Sequence, residues 1–326
     1  MIRKIVLIML VVAFGFSACS SPSSANDAGA LTHIRLPTGY IPNIQYAPFY
    51  VAIEKGYFRD AGIEIEFDYS FETDGVALVG AGELPFAIVS GEQVALAREQ
   101  GLPIKYAMAW YQKFPVSIVA KTQTGIKTPN DLKGRKIGLP GLYGASYVGL
   151  RAFLFASGIK ESDVTLDSIG FNQVEALVSG QEDAIVVYSA NEPIQLRAQG
   201  IDINSFNVAD AVNLASNGVI TNEKTISENP KLVRGFIEAV LKGLNDVITN
   251  PKEAIDLSKA YIPNFKELDP AVQEQTLSAS IDMWKTKRLG YSDPAAWQNM
   301  KKILVEMGLV SKSLDINAAY TNEFIP

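Results

Sequence analysis

Ile63-Glu64-Ile65-Glu66-Phe67-Asp68-Tyr69 alternates large apolar and acidic side chains with a period of two, the pattern of a strand with one buried and one wet face. Just downstream, Val76 to Ala81 reads as a helix and Phe86 to Val89 as a strand. Ser90 and Gln93 then stand at capping-box spacing before a helix that runs to Gln100. Strand, helix, strand, helix at this rhythm predicts an α/β fold built on a parallel sheet with helices on both faces. Working outward, Ile34 to Pro37 supplies an earlier strand, Gly39 to Asn43 carries turn chemistry, and Ala47 to Phe58 fits one helix. Ile104 to Trp110 and Val116 to Lys121 are the next strands.

The rhythm then repeats. Thr128-Pro129-Asn130-Asp131 opens a short helix, with Thr as cap and Pro in the first turn. Lys136 to Leu139 is a strand that runs into the loop Pro140 to Tyr147 and a helix through Phe155. Val174 to Val178, Ala184 to Tyr188 and Pro193 to Ala198 continue as helix, strand and helix. After Pro230 the pattern changes to long helices. Leu232, Val233, Phe236, Ile237, Val240, Leu241 and Leu244 recur at helical spacing and mark one buried face, and further helices fit 252–261, 271–285 and 294–307. Two lobes are expected: residues 32–118 plus 219–326 as the first, 119–218 as the second. Val219-Ile220-Thr221 would be the return crossing and the helical tail would pack on the first lobe.

Cys19 is the sole cysteine. It follows Phe16-Ser17-Ala18 and an apolar run that begins just after Arg3 and Lys4. A basic start, an apolar stretch too short to span a bilayer and small residues before the cysteine read as an export signal over residues 1–18. Ser20, Pro22, Ser23, Ser24 and Asn26 then form a polar leash over 19–31. A lipid-modified Cys19 would anchor the chain to the extracytoplasmic face of the cell membrane. Removing residues 1–18 leaves 27 Lys and Arg against 35 Asp and Glu, a net charge of −8 with His neutral. Such an acidic chain lacks the basic footprint that nucleic-acid binding needs. With His33 the only histidine, no histidine cluster can hold a metal, and a Ser-His-Asp triad would have to use this one first-strand residue.

Several segments together carry a resemblance. They are Pro42-Asn43, Phe49 to Ala52, Glu54 to Phe58, Gly62 to Ile65, Gly80 to Phe86, Glu92-Gln93-Val94, Asp131 to Gly138, Asp183-Ala184 and Asn191-Glu192-Pro193. The chain resembles the solute-binding proteins of ABC importers that belong with the thiamine-pyrimidine-precursor group. Within that group, Tyr40 to Pro48 looks most like the riboflavin-binding branch. The resemblance implies a two-lobed periplasmic-binding-protein (type 2) fold that closes on its ligand by hinge motion. It implies no catalytic residue and no cofactor: riboflavin would be cargo, delivered to an ABC permease and its ATPase. Two alternatives stay open, a thiamine pyrimidine precursor of the hydroxymethylpyrimidine or formylaminopyrimidine type, and, from another class, a pyrimidine-synthesising enzyme. Pyrimidine binders tend to carry a histidine near Tyr46, and this chain has none there.

In open α/β sheets a ligand sits beyond the carboxyl ends of the strands, which selects the loops 42–46, 90–93, 110–111, 140–147 and 188–192. They hold Tyr46, Trp110, Tyr111, Tyr143, Tyr147 and Tyr188, with Tyr40 just before them, rings that could stack on a flat heterocycle or serve the core. Of these, Tyr46, Trp110 and Tyr188 are expected to face the cleft. Asn43, Glu92, Gln93, Ser146, Asn191 and Glu192 offer polar partners. For Glu92 the competing reading is a helix-start carboxylate favoured by the macrodipole, and for Asn191-Glu192-Pro193 a helix cap. The loop before the helix at Ser146 could hold an anion on free amides, but no Lys or Arg lies between Lys136 and Arg151, which favours a neutral ligand.

Overall fold

The computed structural model describes residues 31–326, so Cys19, the segment 1–18 and all of the leash but its last residue lie outside it. The alternating stretch forms β2 (Ile63–Asp68), paired in parallel with β1 (Thr32–Pro37) so that Ile34 meets Ile65 and Leu36 meets Phe67. Between them lie α1 (Ala47–Glu54) and α2 (Tyr57–Asp60). The single helix expected over 47–58 is broken because Gly56 adopts φ 76°, a left-handed conformation that glycine takes without penalty. Next come α3 (Glu72–Gly80), β3 (Ala87–Val89), α4 (Gly91–Glu99) and β4 (Ile104–Ala109).

The chain then crosses into a second sheet of five strands: β5 (Val116–Lys121), β6 (Lys136–Leu139), β7 (Thr165–Ser168), β8 (Ala184–Tyr188) and β9 (Ile203–Asn207), in the order β7-β6-β8-β5-β9. α5 (Gly144–Ala156), α6 (Gln173–Ser179), α7 (Glu192–Ala198) and α8 (Val208–Ala211) complete this lobe. β5 lies wholly in the second sheet, so the boundary expected at residue 118 falls inside a strand and the crossing runs through residues 110–115. The return runs through 212–217 into β10 (Gly218–Asn222), which inserts between β3 and β4 antiparallel to both. A chain coming back from the other lobe enters this sheet from the end that its own strands leave, so it must run against them. β5 is likewise antiparallel to β8 and β9. The first lobe therefore combines a parallel pair, β1-β2, with an antiparallel triplet, β3-β10-β4, and the five-stranded sheet is mixed, in place of the purely parallel sheet expected.

Four of the tail helices start on one device. Asn229, Asn250, Asp269 and Asp293 cap α10 (Pro230–Thr249), α11 (Pro251–Ser258), α12 (Pro270–Trp284) and α13 (Pro294–Glu306), each directly before a proline; α9 (Glu223–Glu228) precedes them. The side-chain oxygen accepts an otherwise orphaned N–H of the first turn while proline fixes φ. The face of α10 formed by Val233, Phe236, Ile237, Val240 and Leu244 is buried against α1, where Gly243 lets the helices approach until an added Cβ would stand 2.1 Å from the Pro48 carbonyl oxygen. The tail packs on the first lobe and also reaches the second, α12 touching α7 and α13 touching α5.

Candidate functional site

Loops at the carboxyl ends of strands from both lobes line an open cleft. The Ile44–Tyr46 turn begins at Asn43, whose side-chain oxygen accepts the Gln45 N–H at 2.8 Å while its amide donates to the Ile41 carbonyl at 3.0 Å. Asn43 thus shapes the wall, with both halves of its amide engaged. The turn brings Tyr46 to the floor, where its hydroxyl donates to the Thr38 carbonyl at 2.8 Å and its ring lies 5.5 Å from that of Trp110. Trp110 is wedged among Tyr46, Phe49, Tyr111 and Trp284. Tyr46, Trp110 and Tyr111 line the cleft but are at most 4 % exposed, so they serve the first lobe's core as well as the site.

The rim is different. Phe71 from the first lobe and Tyr143 and Phe171 from the second stand more than half exposed at the mouth, and Tyr40 meets Phe171 across it, edge to face at 5.2 Å. Gly141 allows Tyr143 to fold back over the loop, since an added Cβ there would lie 2.4 Å from the ring. Ser146 lines the same wall at the start of α5. Tyr147 does not. Its hydroxyl donates to Glu161 at 2.9 Å on the far side of α5, where Arg151 is also paired with Glu161, and that turns the nearest cation of α5 away from the cleft.

From β8, Tyr188 lines the cleft with its hydroxyl 3.2 Å from the Asn217 side-chain amide. Glu192 accepts the Tyr188 N–H at 3.0 Å and the Asn191 amide at 3.2 Å, and burial pushes its carboxyl up to about 7. Asn191 stands at the N-cap of α7 yet bonds Glu192 and Gln195 instead of a backbone N–H, so the cap reading fails for its side chain.

Nine of the ten residues expected at the site line this cleft: Asn43, Tyr46, Gln93, Trp110, Tyr143, Ser146, Tyr188, Asn191 and Glu192. Glu92 does not. It is fully buried behind Ser90, with one carboxyl oxygen on the Ser90 hydroxyl and the other without a partner. The capping box expected at Ser90 is also absent, because the hydroxyl bonds Glu72 at 2.5 Å and Glu92 in place of the Gln93 N–H. A carboxyl oxygen is a stronger acceptor partner for the hydroxyl than any that a capping bond, in which it accepts, could supply. Sequence reasoning missed Glu72, Asn217, Gln45 and Gln173, which line the cleft. Glu72 opens α3 four residues after β2 ends at Asp68, and that position at a strand's carboxyl end was the available signal. No Lys, Arg or His lines the cleft, and among the described residues no group of His, Cys, Asp and Glu is placed to hold a metal. His33 lies outside it on β1, paired with Glu66 at 3.2 Å.

Both crossings pass beneath this floor. The Asn217 carbonyl accepts the Trp110 N–H at 3.1 Å and the Tyr111 N–H at 3.0 Å, tying the outgoing strand to the returning one.

Residues 43–254 match the family model described as NMT1/THI5 like. The chain belongs to the NMT1/THI5-like family. It is 41% identical to the riboflavin-binding protein RibY of Chloroflexus aurantiacus over 98% of this chain and 96% of that protein. The formylaminopyrimidine-binding protein of Halalkalibacterium halodurans is 28% identical over 90% of this chain and 91% of that one. The fold is that of periplasmic binding proteins: the aliphatic sulphonate binding protein SsuA of Escherichia coli superposes with a TM-score of 0.72 at 14% identity, covering 87% of this chain and 96% of its own. RibY and the formylaminopyrimidine-binding protein are both named for what they bind and not for a reaction.

Proposed function

We propose that this protein binds riboflavin in the interlobe cleft and delivers it to an ABC permease from the outer face of the cell membrane. The observation that carries the reading is a cleft floored by Tyr46, Trp110 and Tyr111, rimmed by Tyr143 and Phe171, and lined by no cation. A flat tricyclic ring gains from burial among aromatics, and each ring pair adds about 0.5–1.5 kcal/mol beyond the area term. Asn191, Gln93, Ser146 and Gln173 supply neutral donors and acceptors suited to a hydroxylated side chain. The resemblance to RibY over nearly the whole chain supports the same ligand. Lipidation at Cys19 after removal of residues 1–18, with 19–31 as leash, would hold the cleft near its permease. No helix among the described residues is long and apolar enough to cross a membrane.

Titrating the purified protein into riboflavin and following flavin fluorescence tests this. Quenching that saturates at one ligand per protein supports it, and no quenching at micromolar protein overturns it. The 5′-phosphate ester is the matched control. Two like charges about 8 Å apart repel by about 2 kcal/mol at an effective dielectric of about 20, and the Glu72 carboxylate lines a cleft without a compensating cation, so the ester binds at least tenfold more weakly. The relative that binds formylaminopyrimidine supports a second reading, a thiamine pyrimidine precursor. Thermal stabilisation by such a pyrimidine and not by riboflavin would establish that ligand instead.

A further inference from the structure

Glu72, Ser90 and Glu92 form a chain whose hydrogens can be counted. The Ser90 hydroxyl lies 2.5 Å from Glu72 Oε2 and within hydrogen-bond reach of Glu92 Oε1. A hydroxyl carries one hydrogen, and ionised carboxylates only accept, so both contacts can be hydrogen bonds only if one carboxyl is protonated and donates to Ser90. The donors decide which. Glu72 Oε2 accepts the Ser90 N–H at 3.2 Å as well as its hydroxyl, and Glu72 Oε1 accepts the Asn217 amide at 3.3 Å. Glu92 has, besides Ser90, only the Gln93 amide at 3.5 Å, and its Oε2 is buried with no partner. Burial and the charge of Glu72 both favour the neutral form of Glu92. The proton therefore sits on Glu92, which donates to Ser90, which donates to Glu72, and the negative charge rests on the one member of the chain that lines the cleft.

We infer that Glu72 selects the ligand: its carboxylate accepts a ring N–H at the cleft floor, held in place by the hydrogen-bond chain that begins at Glu92. Oε1 of Glu72 has a single, long bond and is the oxygen with capacity to spare. Beside it stands the Tyr188 hydroxyl, which accepts the second Asn217 amide N–H at 3.2 Å and so keeps its own hydrogen to donate to a carbonyl adjacent to that N–H. An N–H flanked by carbonyls is the imide edge of an isoalloxazine ring, so the inference rests on the riboflavin reading and deepens it. Ser90 and Glu92 are positioning residues in this scheme, and neither lines the cleft.

The test compares riboflavin with its N3-methyl derivative on wild type, E72Q and E92Q by fluorescence titration. Wild type loses about tenfold or more in affinity on methylation, because the carboxylate is left facing a methyl group. E72Q binds riboflavin about tenfold more weakly and shows a methylation penalty shrunk to threefold or less. E92L, which takes the donor away from Ser90, weakens riboflavin binding about threefold or more and shrinks the methylation penalty, and E92Q, whose amide can still donate to Ser90, recovers part of both. Equal affinity of wild type for the two flavins overturns the inference without recourse to any variant, so misfolding of E72Q cannot shelter it; an undiminished penalty in folded E72Q also overturns it. Absence of riboflavin binding to wild type would remove both the proposed function and this inference, whereas tight binding that is blind to N3-methylation removes the inference alone.

Discussion

Glu192 gives a stability prediction that can be worked through. Its carboxyl is 9 % exposed, and burial raises it from 4.5 to about 7 against the opposing bonds from the Tyr188 N–H and the Asn191 amide. Below about pH 4.5 the group is neutral in folded and unfolded chains alike and costs nothing. Between the two values the unfolded chain has released the proton while the folded chain still holds it, so stability falls as pH rises; above about 7 both are ionised and the full penalty is present. The gap from 4.5 to about 7, at about 1.36 kcal/mol for each pH unit, amounts to about 3 kcal/mol. Glu72, Glu92 and Glu182 are raised in the same direction, so the wild-type profile alone does not isolate Glu192. The informative quantity is the stability of E192Q minus that of wild type, from urea unfolding across about pH 4.5 to 8. It should move in favour of E192Q by about 3 kcal/mol over that range, with most of the change between about pH 5 and 7. A difference constant to within about 0.5 kcal/mol would refute the claim that this carboxyl is held neutral by burial.

Three further outcomes follow from the packing. Gly243→Ala places a Cβ 2.1 Å from the Pro48 carbonyl oxygen and 3.0 Å from Ala52 Cβ, forcing α10 off α1; a loss of about 1–3 kcal/mol should appear as a lower urea midpoint at unchanged slope. Tyr106→Phe removes the buried bond to the Ser216 carbonyl at 3.1 Å beside the return crossing, and should cost about 1–2 kcal/mol in the same measurement. Phe171→Ala removes the edge contact with Tyr40 at the mouth; ligand release in stopped flow should quicken by about threefold to tenfold, matching about 0.5–1.5 kcal/mol, with unfolding barely changed.

The strands with strong apolar patterns and the capped helices were legible from residue order because period-two alternation and Asx-Pro starts are local signals. The short strands β7 and β9 were not: Thr165–Ser168 and Ile203–Asn207 lack an apolar run and owe their state to pairing with β6 and β5. The return crossing at Val219-Ile220-Thr221 was legible, but the antiparallel direction of β10 was not, since direction in a sheet is set by where the chain re-enters. At the cleft, turn residues at strand ends supplied the nine of ten expected residues that line it, while Glu92 does not line it because helix-start position says nothing about which way a carboxylate faces. Tyr46 and Trp110 show the limit of sorting aromatics into core or site: each is both.

The Asn217 carbonyl, which holds Trp110 and Tyr111 by their amides, joins the two connections at a single atom. In the proposed closure, rotation of one lobe against the other would turn about a pivot that is also the base of the cleft. A ligand resting on Trp110 and Tyr111 would then lie against the stationary part while Tyr143, Phe171 and Tyr188 arrive from the moving lobe. Differences in affinity between related ligands should then be written mainly in how fast that lobe lets go.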